Sequence, residues 1–231
     1  MGKGLLARPG ARGLNGGVCG VEPRDEELEK LLERKARKLL EKAKGGTGEV
    51  MVKKVGAGSR NGIYVYDREH GAWRLLRVDG GAFQLGELGD GVYVVYFGNT
   101  KCKACRSYDG YWHPFVESTA PRLEGYHFVI VLCDWFTHKC SSPAASASFR
   151  EYRVHASPTT LLAYVVGGKT VYQEKYEGVL TREELEKVVP SFRERGERAQ
   201  RGEKVEPPLK EKLARDDVLE ILEKILGIRI T

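Results

Sequence analysis

The sequence contains few of the residues that degrade at high temperature. Among its 231 residues there are three Asn, three Gln and two Met, whereas Lys and Arg together number 38. This usage is typical of proteins from hyperthermophiles. Disulfides persist inside the cells of such organisms. We therefore expect a thermophilic protein whose five cysteines can include a stable bridge.

The sequence also lacks a long hydrophobic segment. Its longest apolar runs, 92–97 and 128–133, have the length of buried strands and fall well short of the roughly 18 residues that a membrane helix needs. The first 25 residues carry Lys3, Arg8 and Arg12 but no apolar core of a secretory signal. We expect a cytoplasmic protein that does not bind a membrane.

Neither sign of charge dominates the chain. The 38 basic residues are interleaved with 32 acidic ones, which leaves a net charge of +6, and no base-stacking motif is visible. Such a pattern is typical of a solvated surface of mixed charge. We expect no nucleic-acid partner.

Residues 1–90 divide into two predicted parts. Residues 1–24 are rich in Gly and Arg and predict a flexible leader. Residues 25–90 predict a helix followed by a β-hairpin. The helix, over 25–44, carries one apolar stripe, which either packs on the neighbouring domain or binds a partner. The hairpin pairs 63–66 with 73–78 around a loop at 67–71.

Residues 91–190 predict an α/β domain. Strand 92–97 is followed by a helix toward Arg122, a strand over 127–133, a helix capped by Ser142, a hairpin of 159–166 and 170–177, and a helix opened by a capping box at Thr181. We expect a central mixed sheet flanked by helices. Beyond it, residues 191–208 are charged and predict a linker, and 209–231 predict an amphipathic helix that packs on the domain or mediates association.

The segment Cys102-Lys103-Ala104-Cys105 follows a predicted buried strand and begins a predicted helix. A helix N-terminus favours thiolate, the form that attacks disulfides, and Lys101, Lys103 and Arg106 add positive charge. Cys102 would attack and Cys105 would resolve the mixed disulfide. The spacing alone is a moderate signal, because zinc sites use it too.

Residues 92–189 resemble the thioredoxin superfamily, in particular the thioredoxin-like protein disulfide oxidoreductases of hyperthermophilic archaea. Phe97 and the C-x-x-C segment match the end of the family's strand and its active site. Residues 152–159 match its stretch from a tyrosine to a cis-proline. Gly167, Gly168 and Gly178 match its hairpin glycine and the glycine before the last helix.

The resemblance implies a thioredoxin-like fold and a thiol–disulfide oxidoreductase that needs no cofactor besides its redox-active disulfide. It implies that Pro158 is cis and faces the sulfurs, and that the backbone of Ser157 pairs with bound substrate. The implied partners are protein thiols or disulfides and an electron donor such as a thioredoxin-reductase-like flavoprotein. The resemblance does not fix the direction of the chemistry or the oligomeric state.

Three positions depart from the family pattern. The buried acid of many thioredoxins falls at Tyr96, and the two tryptophans that flank the motif fall at Gly98 and Lys101. Proton transfer by a buried carboxylate at that strand position is therefore not expected. His155, close to Pro158, is a candidate for proton transfer near neutral pH, and a surface histidine is the alternative.

Cys133 and Cys140 leave three alternatives open. They form a structural disulfide, a relay pair that exchanges with Cys102 and Cys105, or free thiols or metal ligands. Cys19 is unpaired by count.

Two functions compete with disulfide exchange. A zinc-binding module would draw four ligands from Cys102, Cys105, Cys133, His138 and Cys140. A non-catalytic adaptor would keep the fold and dock a partner through its terminal helices. If the protein exchanges disulfides, we expect no metal site.

Overall fold

The computed structural model describes residues 50–214. The predicted leader with Cys19, the predicted helix over 25–44 and residues 215–231 of the predicted C-terminal helix lie outside the described residues. Within 209–214 the prediction of an α-helix is wrong, because residues 210–212 form a single 3-10 turn and Leu213 is extended and pairs with Tyr176 in an isolated bridge.

The described part of the chain is built on one seven-stranded sheet. Its strands are β1 (Met51–Val52), β2 (Gly62–Asp67), β3 (Ala72–Arg77), β4 (Gly91–Asn99), β5 (Tyr126–Cys133), β6 (Thr159–Val166) and β7 (Lys169–Glu177). Their spatial order is β1-β3-β2-β5-β4-β6-β7. β4 and β5 are parallel, and the other neighbouring pairs are antiparallel. The sheet is therefore mixed, as predicted.

Four α-helices accompany this sheet among residues 50–214. They are α1 (Lys103–Thr119), α2 (Pro143–Glu151), α3 (Arg182–Val188) and α4 (Phe192–Gln200). Ser142 caps α2, and Thr181 and Glu184 form the predicted capping box of α3. From β4 to α3 the order is strand, helix, strand, helix, hairpin, helix, which confirms the thioredoxin-like fold.

The core lies on both faces of the sheet. On one face, aromatic residues of the strands and of α1 pack together with Leu185 and Val188 of α3. On the other face, Phe97 meets Phe149 of α2 in an edge-to-face contact with ring centroids 5.4 Å apart. β4 and β5 are buried on both faces, which explains their unbroken apolar sequences.

The predicted hairpin is present and belongs to the same sheet as the predicted domain. β2 and β3 are antiparallel, and β2 pairs with β5 from Gly62 to Val65. The predicted boundary at residue 90 therefore separates two parts of one continuous sheet.

The prediction of a linker over 191–208 is wrong for its first half. Residues 192–200 form α4, and Phe192 and Arg195 are buried. Arg195 makes an ion pair with Glu174 of β7, with Nε 2.7 Å from Oε1 and Nη2 2.8 Å from Oε2. The many charged residues of the segment favoured the prediction of a linker. In the structure they belong to a helix, and the guanidinium of its Arg195 neutralises the buried carboxylate of Glu174.

Helix α1 continues through Gly110 and Pro114. No helix among residues 50–214 is both long enough and apolar enough to span a membrane.

Candidate redox site

The two cysteines lie where β4 gives way to α1. Cys102 is the N-cap residue of α1, and its sulfur accepts a hydrogen bond from the amide of Cys105 at 3.3 Å. The first turn of the helix contains no acidic residue. Both cysteines are free thiols. This geometry places the Cys102 sulfur at the positive end of the helix dipole.

The positive charges around the motif are not all directed at the sulfurs. The Arg106 guanidinium donates to Asp109 at 3.0 Å, to the Asn99 carbonyl at 3.1 Å and to the Thr100 carbonyl. Lys101 and Lys103 are exposed. Arg106 therefore holds the turn before the helix in place, and its guanidinium is committed to Asp109 and two carbonyls.

Cys105 occupies a different environment from Cys102. It is completely buried, whereas Cys102 is 8% exposed. Its sulfur lies 3.0 Å from the Ser157 hydroxyl and 3.4 Å from the Asn99 amide nitrogen, which donates to it. Burial raises the pKa of the Cys105 thiol to about 11, although the hydrogen bonds from Ser157 and Asn99 act in the opposite direction. Cys105 thus holds its proton at neutral pH.

The loop before β6 faces both sulfurs. The peptide bond between Ser157 and Pro158 is cis, which confirms the cis part of the prediction for Pro158. The Cys102 thiol donates to the Ser157 carbonyl at 3.4 Å, and the Ser157 hydroxyl contacts Cys105. The structure therefore brings four of the predicted site residues together.

Tyr96 lies beside Cys105 and contacts the carboxylate of Asp109, and the sequence reasoning gave neither residue a role. The Tyr96 hydroxyl donates to Asp109 Oδ1 at 3.0 Å. The pKa of Tyr96 is raised well above its ordinary value by burial first and then by the neighbouring Cys105 and Asp109. Asp109 follows Cys105 by four residues, one helical turn, so their spacing was a signal that could have found it.

Gly98 explains how the strand accommodates Tyr96. A Cβ atom at Gly98 would lie 2.8 Å from the Tyr96 Cζ and hydroxyl atoms. Residues two apart on a strand share a face, so the ring of Tyr96 covers the space in front of Gly98. The departures from the family pattern at 96 and 98 are therefore one structural feature.

Cys133 and Cys140 form a disulfide, with a sulfur–sulfur distance of 2.07 Å. The loop that they close is bound to the turn before Cys102. The amides of Thr100 and Lys101 donate to the carbonyls of Cys133 and Asp134 at 2.8 and 3.2 Å. The disulfide excludes free thiols at Cys133 and Cys140, leaves the structural bridge and the relay pair as the alternatives, and adjoins the redox site.

The five residues considered for zinc are not gathered at one point. Among residues 50–214, no group of three His, Cys, Asp or Glu side chains could hold a metal ion. Cys133 and Cys140 are joined to each other, so their sulfurs are not available as thiolate ligands. The geometry does not support the zinc alternative.

His155 is exposed and lies two residues before Ser157. It lines a cavity together with Trp135 and His138. Its role in proton transfer stays a prediction.

No family model matches the chain, and no curated protein does. Solved structures that are similar to it include thioredoxin from Aeropyrum pernix, with 17% identity over 60% of this chain and 97% of that one and a TM-score of 0.37. Chloroplastic thioredoxin z has 14% identity, covers 52% of this chain and 98% of its own, and has a TM-score of 0.35. Trichomonas vaginalis thioredoxin has 19% identity, covers 42% and 84%, and has a TM-score of 0.29. At this level of similarity, function has to be inferred from the site itself.

Proposed function

We propose that the protein is a thiol–disulfide oxidoreductase that exchanges Cys102 and Cys105 with the cysteines of protein substrates. One observation carries the proposal. Two free thiols share a helix N-terminus, one capping the helix near the surface and the other buried against the hydroxyl of Ser157. This asymmetry suits an attacking and a resolving thiol.

The first step belongs to Cys102. Its thiolate attacks one sulfur of a substrate disulfide, so that a bond from Cys102 to that sulfur forms, the substrate S–S bond breaks and the second substrate sulfur leaves as a thiolate. The Cys105 amide and the helix dipole stabilise the attacking thiolate before the step. In the free protein the Cys102 thiol donates a hydrogen bond to the Ser157 carbonyl. Contacts with the substrate chain replace this hydrogen bond when a substrate binds.

The second step belongs to Cys105. Its thiol must lose a proton before its sulfur attacks Cys102, releases the first substrate sulfur and closes the disulfide between Cys102 and Cys105. The substrate has then gained two electrons and the protein has lost two. An external dithiol, or a flavoprotein acting as electron donor, returns them, and the same steps in reverse oxidise a substrate.

Tyr96 and Asp109 supply a route for the proton of Cys105. The Tyr96 oxygen accepts the proton from the thiol while its own proton passes to Asp109, to which it is already hydrogen-bonded at 3.0 Å. The pair takes the place of the strand carboxylate that the sequence lacks at position 96. General bases of this kind contribute roughly 10²–10⁴-fold to proton transfer.

Reduction of insulin disulfides by dithiothreitol tests the proposal and separates it from the adaptor alternative. We expect the full chain to accelerate precipitation of the insulin B chain and the Cys102→Ser variant to lose that effect. The Cys105→Ser variant should retain the first step and trap a mixed disulfide, visible as an adduct in the intact mass. The proposal is wrong if the Cys102→Ser variant accelerates the reaction as well as the parent protein and circular dichroism shows that the variant is folded.

Alkylation of the reduced protein tests the assignment of the two roles. We expect iodoacetamide to label Cys102 first, because it is the thiol that reaches the surface and caps the helix. Peptide mapping after short exposures measures the order, and faster labelling of Cys105 would reverse the roles.

A further inference from the structure

A cavity of about 380 Å³ opens beside the redox site. The loop closed by the Cys133–Cys140 disulfide forms one wall, and the end of α2 with the segment that leads to Ser157 forms the other. Its main lining residues are Trp135, Phe136, His138, Arg150, Arg153 and His155. We call it the Trp135–Arg153 cavity. The mechanism above does not use it.

Both walls contain an unusual backbone conformation. Phe136 and Arg153 have φ angles of 48° and 47°, and they are the only non-glycine residues with positive φ among residues 50–214. A residue with a Cβ atom is strained in this region. Such conformations persist where the surrounding structure enforces them, and they cluster at ligand-binding sites.

Hydrogen bonds hold the wall that contains Trp135. The amide of Phe136 donates to Asn99 Oδ1 at 2.7 Å, and Trp135 and Lys139 exchange two backbone hydrogen bonds of 2.8 and 3.1 Å. Trp135 is nevertheless 43% exposed. The wall therefore presents an indole to solvent from a fixed backbone, which suits a binding surface.

The opposite wall is also fixed, and it is basic. The amide of Arg153 donates to the Arg150 carbonyl at 3.1 Å, which tightens the chain after α2. Arg150, Arg153 and two histidines line the cavity, and among residues 50–214 no acidic residue does. Guanidinium groups bind carboxylates through paired hydrogen bonds, and the indole of Trp135 covers an apolar stem.

The cavity lies within reach of a substrate bound at Cys102. His155 precedes Ser157 by two residues, which places their Cα atoms no more than about 7.6 Å apart. Ser157 contacts both active-site sulfurs. An extended peptide advances about 3.3 Å per residue, so side chains two to four residues from a substrate cysteine reach the cavity.

We infer that the Trp135–Arg153 cavity binds an acidic segment that flanks the reactive cysteine of protein substrates. This inference rests on the proposed function and adds the substrate class. Charge complementarity carries it: the lining offers two arginines and an exposed indole, and within the described part of the chain it contains no carboxylate.

A matched pair of peptides tests the inference. Each peptide carries one cysteine as a mixed disulfide with 2-thiopyridine; one has Glu two to four residues on both sides, and the other has Gln at those positions. We expect the chain to react about 5-fold or more faster with the acidic peptide at low salt, and salt to remove the preference.

Three variants locate the effect. Arg153→Gly removes the guanidinium and relieves the positive φ, so the fold is retained; Arg150→Gln removes the second charge without touching a strained position. Both should lower the preference toward 1. Lys169→Ala is the charge-matched control, because exposed Lys169 follows the far end of β6, about 23 Å along the strand from Thr159. It should leave the preference unchanged.

Fluorescence measures binding independently of the chemistry. Of the three tryptophans, Trp73 and Trp112 are completely buried, so a change on adding a peptide with Ser in place of Cys reports on Trp135. We expect saturation by the Glu peptide at lower concentration than by the Gln peptide, and loss of the signal in Trp135→Phe.

The outcomes are separable. If the parent does not react with neutral 2,2′-dithiodipyridine through Cys102, the proposed function fails, while the fluorescence titration still decides the cavity. Equal rates and equal titrations for the two peptides overturn the inference. The inference is also overturned if the arginine variants lose as much rate with oxidised glutathione as with the acidic peptide, a result that would assign the cavity to small acidic disulfides. A concentration-dependent rise in mass that Arg153→Gly abolishes would assign it to a second copy of the chain.

Discussion

Replacing Asp109 by Asn should slow the second step of exchange and leave the first unchanged. Asn has the size of Asp but cannot accept the proton that Tyr96 would pass on. The pKa of Cys105 is raised to about 11, four pH units above neutrality, so roughly one Cys105 in 10⁴ is ionised at pH 7. A proton acceptor for Cys105 compensates in part for this low fraction of thiolate. We expect Asp109→Asn to slow resolution by roughly 10²-fold at pH 7.

A single-turnover reaction with 2,2′-dithiodipyridine separates the two steps. Attack by Cys102 releases the first thiopyridone, and attack by Cys105 on the mixed disulfide releases the second. In the parent, the second phase should depend weakly on pH near neutrality. In Asp109→Asn its rate should rise about tenfold per pH unit toward pH 11, because only ionised Cys105 then reacts.

Two controls distinguish proton transfer from a structural effect. Arg106→Gln breaks the 3.0 Å ion pair with Asp109 but leaves the carboxylate, so its second phase should keep the pH profile of the parent. Asp109→Glu should restore part of the rate. An Asp109→Asn protein whose second phase has the parent's rate and pH profile would refute the proton route.

Three further predictions concern stability. The Cys133→Ser/Cys140→Ser variant, which lacks the bridge, should have a free energy of unfolding about 2–3 kcal/mol lower and should still reduce insulin. The magnitude is the chain-entropy estimate for a loop of about eight residues. Unchanged melting together with lost turnover would favour the relay instead. Glu174→Gln should cost about 3–5 kcal/mol in urea unfolding, because it leaves Arg195 buried without its counter-ion; a loss below 1 kcal/mol would contradict this. The free energy of unfolding of the reduced protein should fall by about 2 kcal/mol between pH 9 and pH 11, because the native Cys105 thiol has a pKa of about 11 whereas its ordinary pKa is 9.0. The oxidised protein, whose Cys105 does not titrate, should show no such loss.

Local signals predicted much of the fold. The apolar runs of β4 and β5, the cap at Ser142 and the capping box at Thr181 are properties of short segments, and each is present in the structure. The cis bond at Pro158 followed from the resemblance.

Contacts between distant residues could not be predicted in the same way. Glu174 and Arg195 are 21 residues apart. The charged residues of α4 predict a solvated segment as long as the contact of Arg195 with the buried Glu174 is unknown. The Tyr96–Asp109 hydrogen bond joins a strand to a helix across the redox turn. The Trp135–Arg153 cavity is lined by two residues of positive φ, Phe136 and Arg153, and neither Phe nor Arg signals a positive φ.

The bridge between Cys133 and Cys140 changes how many electrons complete reduction of the protein consumes. Its described part contains two cysteine pairs, so complete reduction of the fully oxidised form consumes four electrons, two at each pair. The amide of Thr100, two residues before Cys102, donates to the carbonyl of Cys133 at 2.8 Å. We therefore expect that opening one pair alters the surroundings of the other, and by reciprocity that each midpoint potential depends on the state of the other pair. A redox titration followed by mass should show two coupled transitions, with a half-reduced form between them.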